Sequence, residues 1–285
     1  PDFSQVESDA TKIDINSPTA INYPEKRPFF NRGIDAMDYS LDIFYSRSIN
    51  NPSFAGKILN QGKKSRLYFL TAFDEESPYL VPTQYESFSG VGGKSFSNIV
   101  RYQNFINTNA QIGILSSNRS YEDGAYGNLF GVDALFKFSD VWKFELEYFM
   151  NSNKEPIADW IDSDKKFGDY TVKLDGEKIN GSALYAEIRR ETETWRTFIQ
   201  YTDISKGFRS DNGFITGNDF KKYSFWHSYH QFPNTDLLKN YRISLRQDFT
   251  YNQNNEIARS GFQYYIQLLT ILNTDILYNY EYNFV

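Results

Sequence analysis

Cysteine is absent from this 285-residue chain, and histidine occurs only as His227 and His230. Without a thiol, a disulfide scaffold, a cysteine nucleophile and a cysteine-based zinc site are excluded. The odd spacing of the two histidines places their side chains on opposite faces of a strand, which argues against a shared metal site. We therefore expect no metal and no cofactor.

Long apolar runs are also missing, and positive charge is scarce. Lys and Arg total 30 against 36 Asp and Glu, which gives a net charge of −6 without any basic run. A nucleic-acid-binding surface needs clustered Lys and Arg, so this class of partner is excluded. The mean hydropathy is −0.59, and no run approaches the roughly 18 apolar residues of a spanning helix, which excludes a helical membrane protein.

Aromatic residues are abundant instead, at 18% of the chain with 25 Phe and 22 Tyr, and many follow a period of two. Between 272 and 284, the even-numbered residues are almost all apolar and the odd-numbered residues almost all polar. The same alternation recurs in 130–138, 141–150, 183–190 and 241–249. Each segment thus has one apolar and one polar face, which is the pattern of a β-strand.

Thirteen strands are predicted from this pattern: 39–48, 54–60, 65–73, 98–105, 109–116, 128–138, 141–150, 179–190, 194–203, 219–230, 239–250, 259–270 and 275–285. Many are about ten residues long, which matches the roughly 9–11 residues that cross a bilayer at a tilt. Their connections mostly alternate between short and long, as in outer-membrane barrels. We therefore predict an all-β fold, an antiparallel transmembrane β-barrel over 39–285 that follows an irregular N-terminal segment over 1–38.

The predicted strand count is odd, whereas bacterial single-chain barrels have an even number of strands. The short turn predicted near 271–274 would be periplasmic, so the last strand would run outward and Val285 would lie at the external rim. We therefore expect an incomplete barrel, with further strands beyond the end of this chain.

The N-terminal segment contains one charged cluster, formed by Glu25, Lys26 and Arg27 between two prolines. The prolines stiffen the backbone and remove two N–H donors, and two phenylalanines follow directly. One interpretation is a plug that binds in the lumen through ion pairs with charges such as Arg189 or Glu147. The other is a periplasmic lead-in that starts the first strand.

Several sequence runs are distinctive: PDFSQVESDA at 1–10, YPEKRPFF at 23–30, FYSR at 44–47, FSDVW at 138–142 and FRSDNGF at 208–214. In this order they resemble a bacterial family of outer-membrane β-barrel domains of unknown function. In full-length members the barrel usually follows a carbohydrate-binding module of the family-9-like type. The resemblance implies a Gram-negative source and an outer-membrane location. It supplies no catalytic residues, and the binding module is absent from this chain.

Two groups of carboxylates have a functional and a structural interpretation. Glu145 and Glu147 share a strand face at a spacing of roughly 7 Å, a distance that a glycosidase can use. Polar barrel interiors also contain such residues as lumen-wall ion pairs, and we favour that interpretation. The acidic residues at 162, 164 and 169 lie in a long loop and could bind calcium, but the ordered Asp spacing and the Gly of an EF-hand are missing, so we favour a solvated external loop.

The function expected from the sequence is non-enzymatic: a pore, a transport element or a membrane anchor for a carbohydrate-binding module. Two alternatives remain open, an outer-membrane hydrolase acting on glycan or lipid and a soluble sugar-binding β-sandwich. The expected partners are outer-membrane lipid and, through the missing module, carbohydrate. No catalytic residue is predicted, and detergent dependence would separate the barrel from the sandwich.

Overall fold

A computed structural model describes residues 22–233 and 235–284 of the chain. The helical elements are α1 (Pro28–Asn31) and two 3-10 turns, Ile34–Met37 and Ser46–Ser48. The strands are β1 (Pro52–Gln61), β2 (Ser65–Asp74), β3 (Pro78–Pro82), β4 (Ser87–Val91), β5 (Ser95–Asn107), β6 (Ala110–Tyr121), β7 (Tyr126–Lys137), β8 (Trp142–Lys154), β9 (Ile157–Ala158), β10 (Lys166–Phe167), β11 (Tyr170–Thr171), β12 (Leu174–Asp175), β13 (Lys178–Glu191), β14 (Trp195–Ile204), β15 (Phe220–Gln231), β16 (Leu238–Asn252), β17 (Ile257–Thr270) and β18 (Asp275–Phe284). None of the helical elements in these two ranges has the length and apolar character of a membrane span.

Twelve strands form one sheet in the order β1-β2-β5-β6-β7-β8-β13-β14-β15-β16-β17-β18. Strands joined by a single turn pair antiparallel, as β5 does with β6 and β16 with β17. The prediction of an all-β antiparallel sheet is confirmed. In the described part of the chain β1 and β18 lie at opposite ends of this order, and no closed ring is formed.

The prediction of a strand at 39–48 is wrong. The main sheet therefore has twelve strands, an even number, rather than the thirteen predicted. Leu41 and Ile43 are buried with a period of two, which imitates a strand. The backbone there is satisfied differently, because the amides of Ser40 and Leu41 both donate to the carboxylate of Glu147. A side chain therefore takes the place of the neighbouring strand, and the segment stays irregular.

Two of the sequence predictions lie outside the described residues. One is the irregular structure expected for the first part of the N-terminal segment, 1–21, which includes the run PDFSQVESDA. The other is the position of Val285 at the external rim. Both stay predictions.

The long connections contain short hairpins that the sequence patterns did not predict. β3 pairs with β4 inside the connection from β2 to β5, and the pairs β9–β12 and β10–β11 lie between β8 and β13. Apolar side chains of these connections form a small core with Tyr121 of β6 and Ala125 of the following turn, and its other members are Tyr79, Val81, Ile161, Val172 and Leu174. These connections are therefore packed structures with some solvated residues, rather than solvated loops throughout.

The chain divides into two compact units. Among the described residues, the first unit comprises 22–134, 147–183 and 204–219, and the second comprises 135–146, 184–203 and 220–284. In the first unit the buried face of the sheet, here called the polar face, carries charged and polar side chains among apolar ones: Ser97 and Arg101 of β5 are buried beside Ile99, whereas Val100 and Tyr102 on the other face are exposed. The neighbouring strands repeat this arrangement with exposed apolar residues at Ile112, Ile114, Phe130 and Val132.

The second unit likewise has buried polar and exposed apolar side chains. Ser228 and Ser244 are buried and hydrogen-bonded to each other at 3.0 Å, whereas Ile199, Tyr223 and Ile243 are exposed. A sheet that is half-exposed to water normally has its apolar face buried and its polar face solvated. The apolar faces predicted from the sequence are therefore present, and many of their side chains are exposed.

Candidate functional site

The most developed polar structure in the first unit is the buried face of its sheet. It contains two arginines that are almost fully buried, Arg101 at 2% and Arg119 at 0% exposure. A buried guanidinium is costly unless it is paired and hydrogen-bonded. The hydrogen-bond and ion-pair partners of these two side chains therefore show which parts of the chain are attached to this face.

Arg101 of β5 forms a two-pronged ion pair with Asp133 of β7. One arm, from Nη2 to Oδ1, measures 2.9 Å, and Nη1 contacts the other carboxylate oxygen. The guanidinium also lies 4.5 Å from the centre of the Tyr39 ring, and its Nε donates to the carbonyl of Ala36 at 3.3 Å. The side chain therefore joins two strands of the sheet to the N-terminal segment.

Arg119 of β6 makes a second link to the same segment. Its Nη2 donates to the carbonyl of Ser48 at 2.8 Å, and its Nε donates to the hydroxyl of Ser97 at 3.1 Å. The Ser97 hydroxyl in turn donates to Asn212 Oδ1 at 2.9 Å. This chain of hydrogen bonds holds the segment before β1 against the polar face.

Carboxylates complete the attachment of this segment. Glu147, which is 1% exposed, accepts the Ser40 amide at 2.8 Å. Asp74 accepts the amides of Asn50 and Asn51 at 2.8 Å and 2.6 Å. Residues 22–51 thus lie on the polar face, with many of their backbone groups satisfied by side chains of the strands.

A third buried arginine lies near the long connections. Arg209 Nη1 donates to Glu155 Oε1 at 2.9 Å, and its Nε donates to Asp211 Oδ1 at 3.2 Å. Asp211 also accepts from Asn153 at 2.8 Å and from the Tyr121 hydroxyl at 3.2 Å. Burial raises the pKa of Glu155 to about 7, against the opposing effect of Arg209.

The charged cluster predicted from the sequence divides into two environments. Lys26 is exposed, whereas Arg27 is 4% exposed and pairs with Glu25 at 2.7 Å. Arg27 also donates to the carbonyls of Ser46 and Ile49 at 3.0 Å and 2.9 Å. Burial alone would raise the pKa of Glu25, but hydrogen bonds from Arg27 and Ser46 outweigh it and lower that pKa.

These contacts fasten the cluster within the N-terminal segment itself. The lumen partners expected from the sequence have other contacts: Glu147 accepts the Ser40 amide, and Arg189 of the second unit pairs with Glu187 at 2.7 Å. Binding of the cluster to lumen charges stays a prediction.

The remaining candidates occupy ordinary structural positions. Glu145 pairs with Lys143 at 2.9 Å. His227 Nδ1 shares a hydrogen bond of 2.8 Å with the Thr197 hydroxyl, and the ring of His230 packs against Phe232 at 4.2 Å. The acidic residues at 162, 164 and 169 are exposed. None of these arrangements resembles a catalytic pair.

The sequence analysis missed Arg101, Arg119 and Arg209 as central residues. A signal was available for the first two, since an arginine on the polar face of a predicted barrel strand points to the interior. Arg209 lies outside any strand of the described chain, so no periodicity could place it. Its only signal was the distinctive run FRSDNGF, which supplies both Arg209 and Asp211 to the buried network.

The fold and its buried face define an all-β protein built on one antiparallel twelve-strand sheet. Over residues 1–66 the chain matches the model of a family described as a domain of unknown function (DUF5916). No curated protein and no solved structure gives a match. The family match covers 66 of 285 residues, which include the segment that lies on the polar face.

Proposed function

We propose that this chain is the membrane-embedded β-barrel part of a bacterial outer-membrane protein. Its role is non-enzymatic, as a pore, a transport element or a membrane anchor for a carbohydrate-binding module. The observation that carries this proposal is the burial pattern of the strands: paired arginines and carboxylates lie on the buried face, whereas Val, Ile, Phe and Tyr side chains are exposed on the opposite face of neighbouring strands.

This burial pattern favours lipid over water as the surrounding solvent. Exposed apolar side chains occur on neighbouring strands of the first unit, at Val100, Ile114 and Val132. A continuous apolar patch of this kind is rare on a water-soluble monomer. In a membrane it is the surface that faces hydrocarbon, while a polar interior is normal for such barrels.

The attached segment 22–51 favours a plugged or anchoring role over a freely open pore. Arg101, Arg119, Glu147 and Asp74 all bind backbone groups of this segment. Charges that line an open channel would be solvated by water instead. The segment therefore supports the plug interpretation of the N-terminal region.

The test is a charge placed on the apolar face. Ile114→Arg, at a side chain that is 49% exposed, should block membrane assembly because Lys or Arg at the bilayer midplane costs roughly 2–4 kcal/mol. Thr108→Arg places the same charge in the exposed turn between β5 and β6 and should assemble normally. The measurements are recovery in the outer-membrane fraction and heat-modifiable migration in detergent gels.

A soluble sandwich would give the opposite result. There Ile114→Arg would replace an exposed apolar side chain by a charged one, and the protein would stay folded and become more soluble. Soluble, detergent-independent protein from both variants would therefore reject the membrane proposal.

A further inference from the structure

Three carboxylates meet at the base of the long connection between β8 and β13. Glu155 is the first residue after β8, and Glu177 directly precedes β13, with Asp175 two residues earlier. The amide of Glu155 donates to the carbonyl of Glu177 at 2.9 Å, which holds the two ends of the connection together. One carboxylate oxygen from each of the three residues lies within 4.8 Å of the other two.

A second observation points to a cation at this cluster. Glu155 is 1% exposed, and its Oε1 accepts from Arg209, but its Oε2 is shielded from solvent without a hydrogen-bond partner in the described structure. An unsatisfied buried carboxylate oxygen is expensive. Such an oxygen calls for a cation or a proton at this position.

Charge compensation around the cluster is incomplete. Within the described residues Asp175 and Glu177 form no ion pair, and the Glu177 side chain accepts only a neutral backbone amide, that of Thr171, at 2.9 Å. Arg209 is shared between Glu155 and Asp211. Three carboxylates at this separation therefore repel one another, and a bound divalent cation would remove that repulsion.

The donor set selects the ion. All three donors are carboxylate oxygens, which favour hard cations such as calcium and magnesium. Magnesium usually takes one or two carboxylates and keeps several waters, whereas calcium accepts several carboxylates in a flexible geometry. A group of three carboxylates therefore fits calcium better.

We propose that Glu155, Asp175 and Glu177 bind a calcium ion that closes the base of the connection between β8 and β13. Water and nearby backbone carbonyls complete the roughly six to eight ligands that calcium takes. The ion ties the first residue of the connection to its last, so the hairpins within the connection keep one orientation. This site is separate from the polar face and does not depend on the membrane proposal.

The experiment is calcium titration of the folded full chain after chelator treatment and dialysis, followed by calorimetry and thermal unfolding. We expect binding of one calcium ion with a Kd on the order of 10⁻⁴–10⁻³ M, as in extracellular calcium modules, and a higher melting temperature in calcium. Magnesium at the same concentration should bind more weakly.

Asp175→Asn and Glu177→Gln should each weaken calcium binding at least about tenfold. Both side chains are partly or fully exposed, so folding should persist, and loss of repulsion should leave the calcium-free melting temperature unchanged or higher. Asp164→Asn, an exposed carboxylate of the same connection, is the matched control and should bind calcium as the parent does.

Two results would overturn the proposal. One is a folded parent protein that neither releases heat with millimolar calcium nor gains thermal stability. The other is a calcium response that is equal in the parent, Asp175→Asn and Glu177→Gln, which would place the ion elsewhere.

Discussion

At the residue scale, the polar face depends on buried charges that are paired or hydrogen-bonded. Arg101 and Asp133 make two contacts with each other, and the Tyr39 ring covers the guanidinium. Such a pair adds little net stability relative to an apolar pair, but losing one member leaves an uncompensated buried charge. The interior therefore tolerates paired replacement better than single replacement.

The first prediction follows from this asymmetry. Asp133→Ala should lower the free energy of unfolding by about 3–5 kcal/mol, because Arg101 is left buried and unpaired. The double variant Arg101→Met with Asp133→Leu should recover much of that loss. Asp140→Ala, in the exposed turn after β7, serves as the control with no measurable change. Urea unfolding in detergent gives these values, and equal losses in the single and double variants would contradict the argument.

The second prediction concerns the pH dependence contributed by Glu155. Its folded pKa is about 7 against an ordinary value of 4.5, so the folded state holds the proton more tightly than the unfolded state. Protonated Glu155 therefore adds to the free energy of unfolding. This contribution is fully present below about pH 4.5 and is lost as the pH rises through 7. In calcium-free buffer, the free energy of unfolding of the parent should fall by about 3 kcal/mol over this pH range, and Glu155→Gln should not show this decrease.

Thermal unfolding of the parent and of Glu155→Gln between pH 4 and 8 provides the measurement. Calcium should flatten the curve of the parent, because the bound ion favours the ionised carboxylate. A stability difference between the two proteins that stays constant over this range would count against a titrating Glu155.

At the element scale, the connections between the long strands pack against one another. Leu174 and Val172 pack with Tyr79 and Val81 from a different connection. Truncating a buried leucine to alanine typically lowers the free energy of unfolding by about 2–5 kcal/mol, and the region that loses the packing is the one destabilised. Because the strands of the sheet have separate hydrogen-bonded ladders, the effect should stay local.

The third prediction tests whether the loss of this packing stays local to the connections. Leu174→Ala should make residues 155–177 sensitive to trypsin, which has Lys165 and Lys166 available there, while recovery in the membrane fraction stays at the parent level. Asp164→Ala, an exposed position of the same connection, should leave the cleavage rate unchanged. Loss of membrane assembly in Leu174→Ala alone would show that the hairpins are needed to build the sheet.

At the scale of the whole molecule, the segment 22–51 lies against the polar face of the first unit. Glu147 and Asp74 bind its backbone amides, and Arg101 and Arg119 bind its carbonyls. Removing one of these contacts should increase the fraction of time that the segment spends detached. In the proposed barrel such detachment has an electrical consequence, because an unplugged lumen conducts ions.

The fourth prediction uses this readout. Glu147→Gln, which weakens the attachment of Ser40 and Leu41, should raise the open fraction in planar bilayer recordings relative to the parent. Glu145→Gln removes a carboxylate that pairs with Lys143 and should conduct as the parent does. Equal conductance of the parent and both variants would argue against the plug.

Local periodicity was enough to predict all twelve strands of the main sheet, because side chains alternate across a strand whatever surrounds it. It also predicted which face is apolar, as at Phe130 and Val132. The same rule failed at 39–48, where Leu41 and Ile43 alternate but the backbone partner is the carboxylate of Glu147. Whether an extended segment joins a sheet depends on the hydrogen-bond partner beside it, and sequence periodicity carries no information about that partner.

The sequence by itself therefore determined the strands, their faces and the absence of thiol chemistry. Only the tertiary structure decided which charges meet: Arg101 with Asp133, Arg209 with Glu155, and Glu155 with Asp175 and Glu177. These partners are separated by about 20 to 55 positions along the chain. Their proximity comes from strand order and from the packing of the connections, and ion pairing and cation binding act over a few ångströms in space rather than along the sequence.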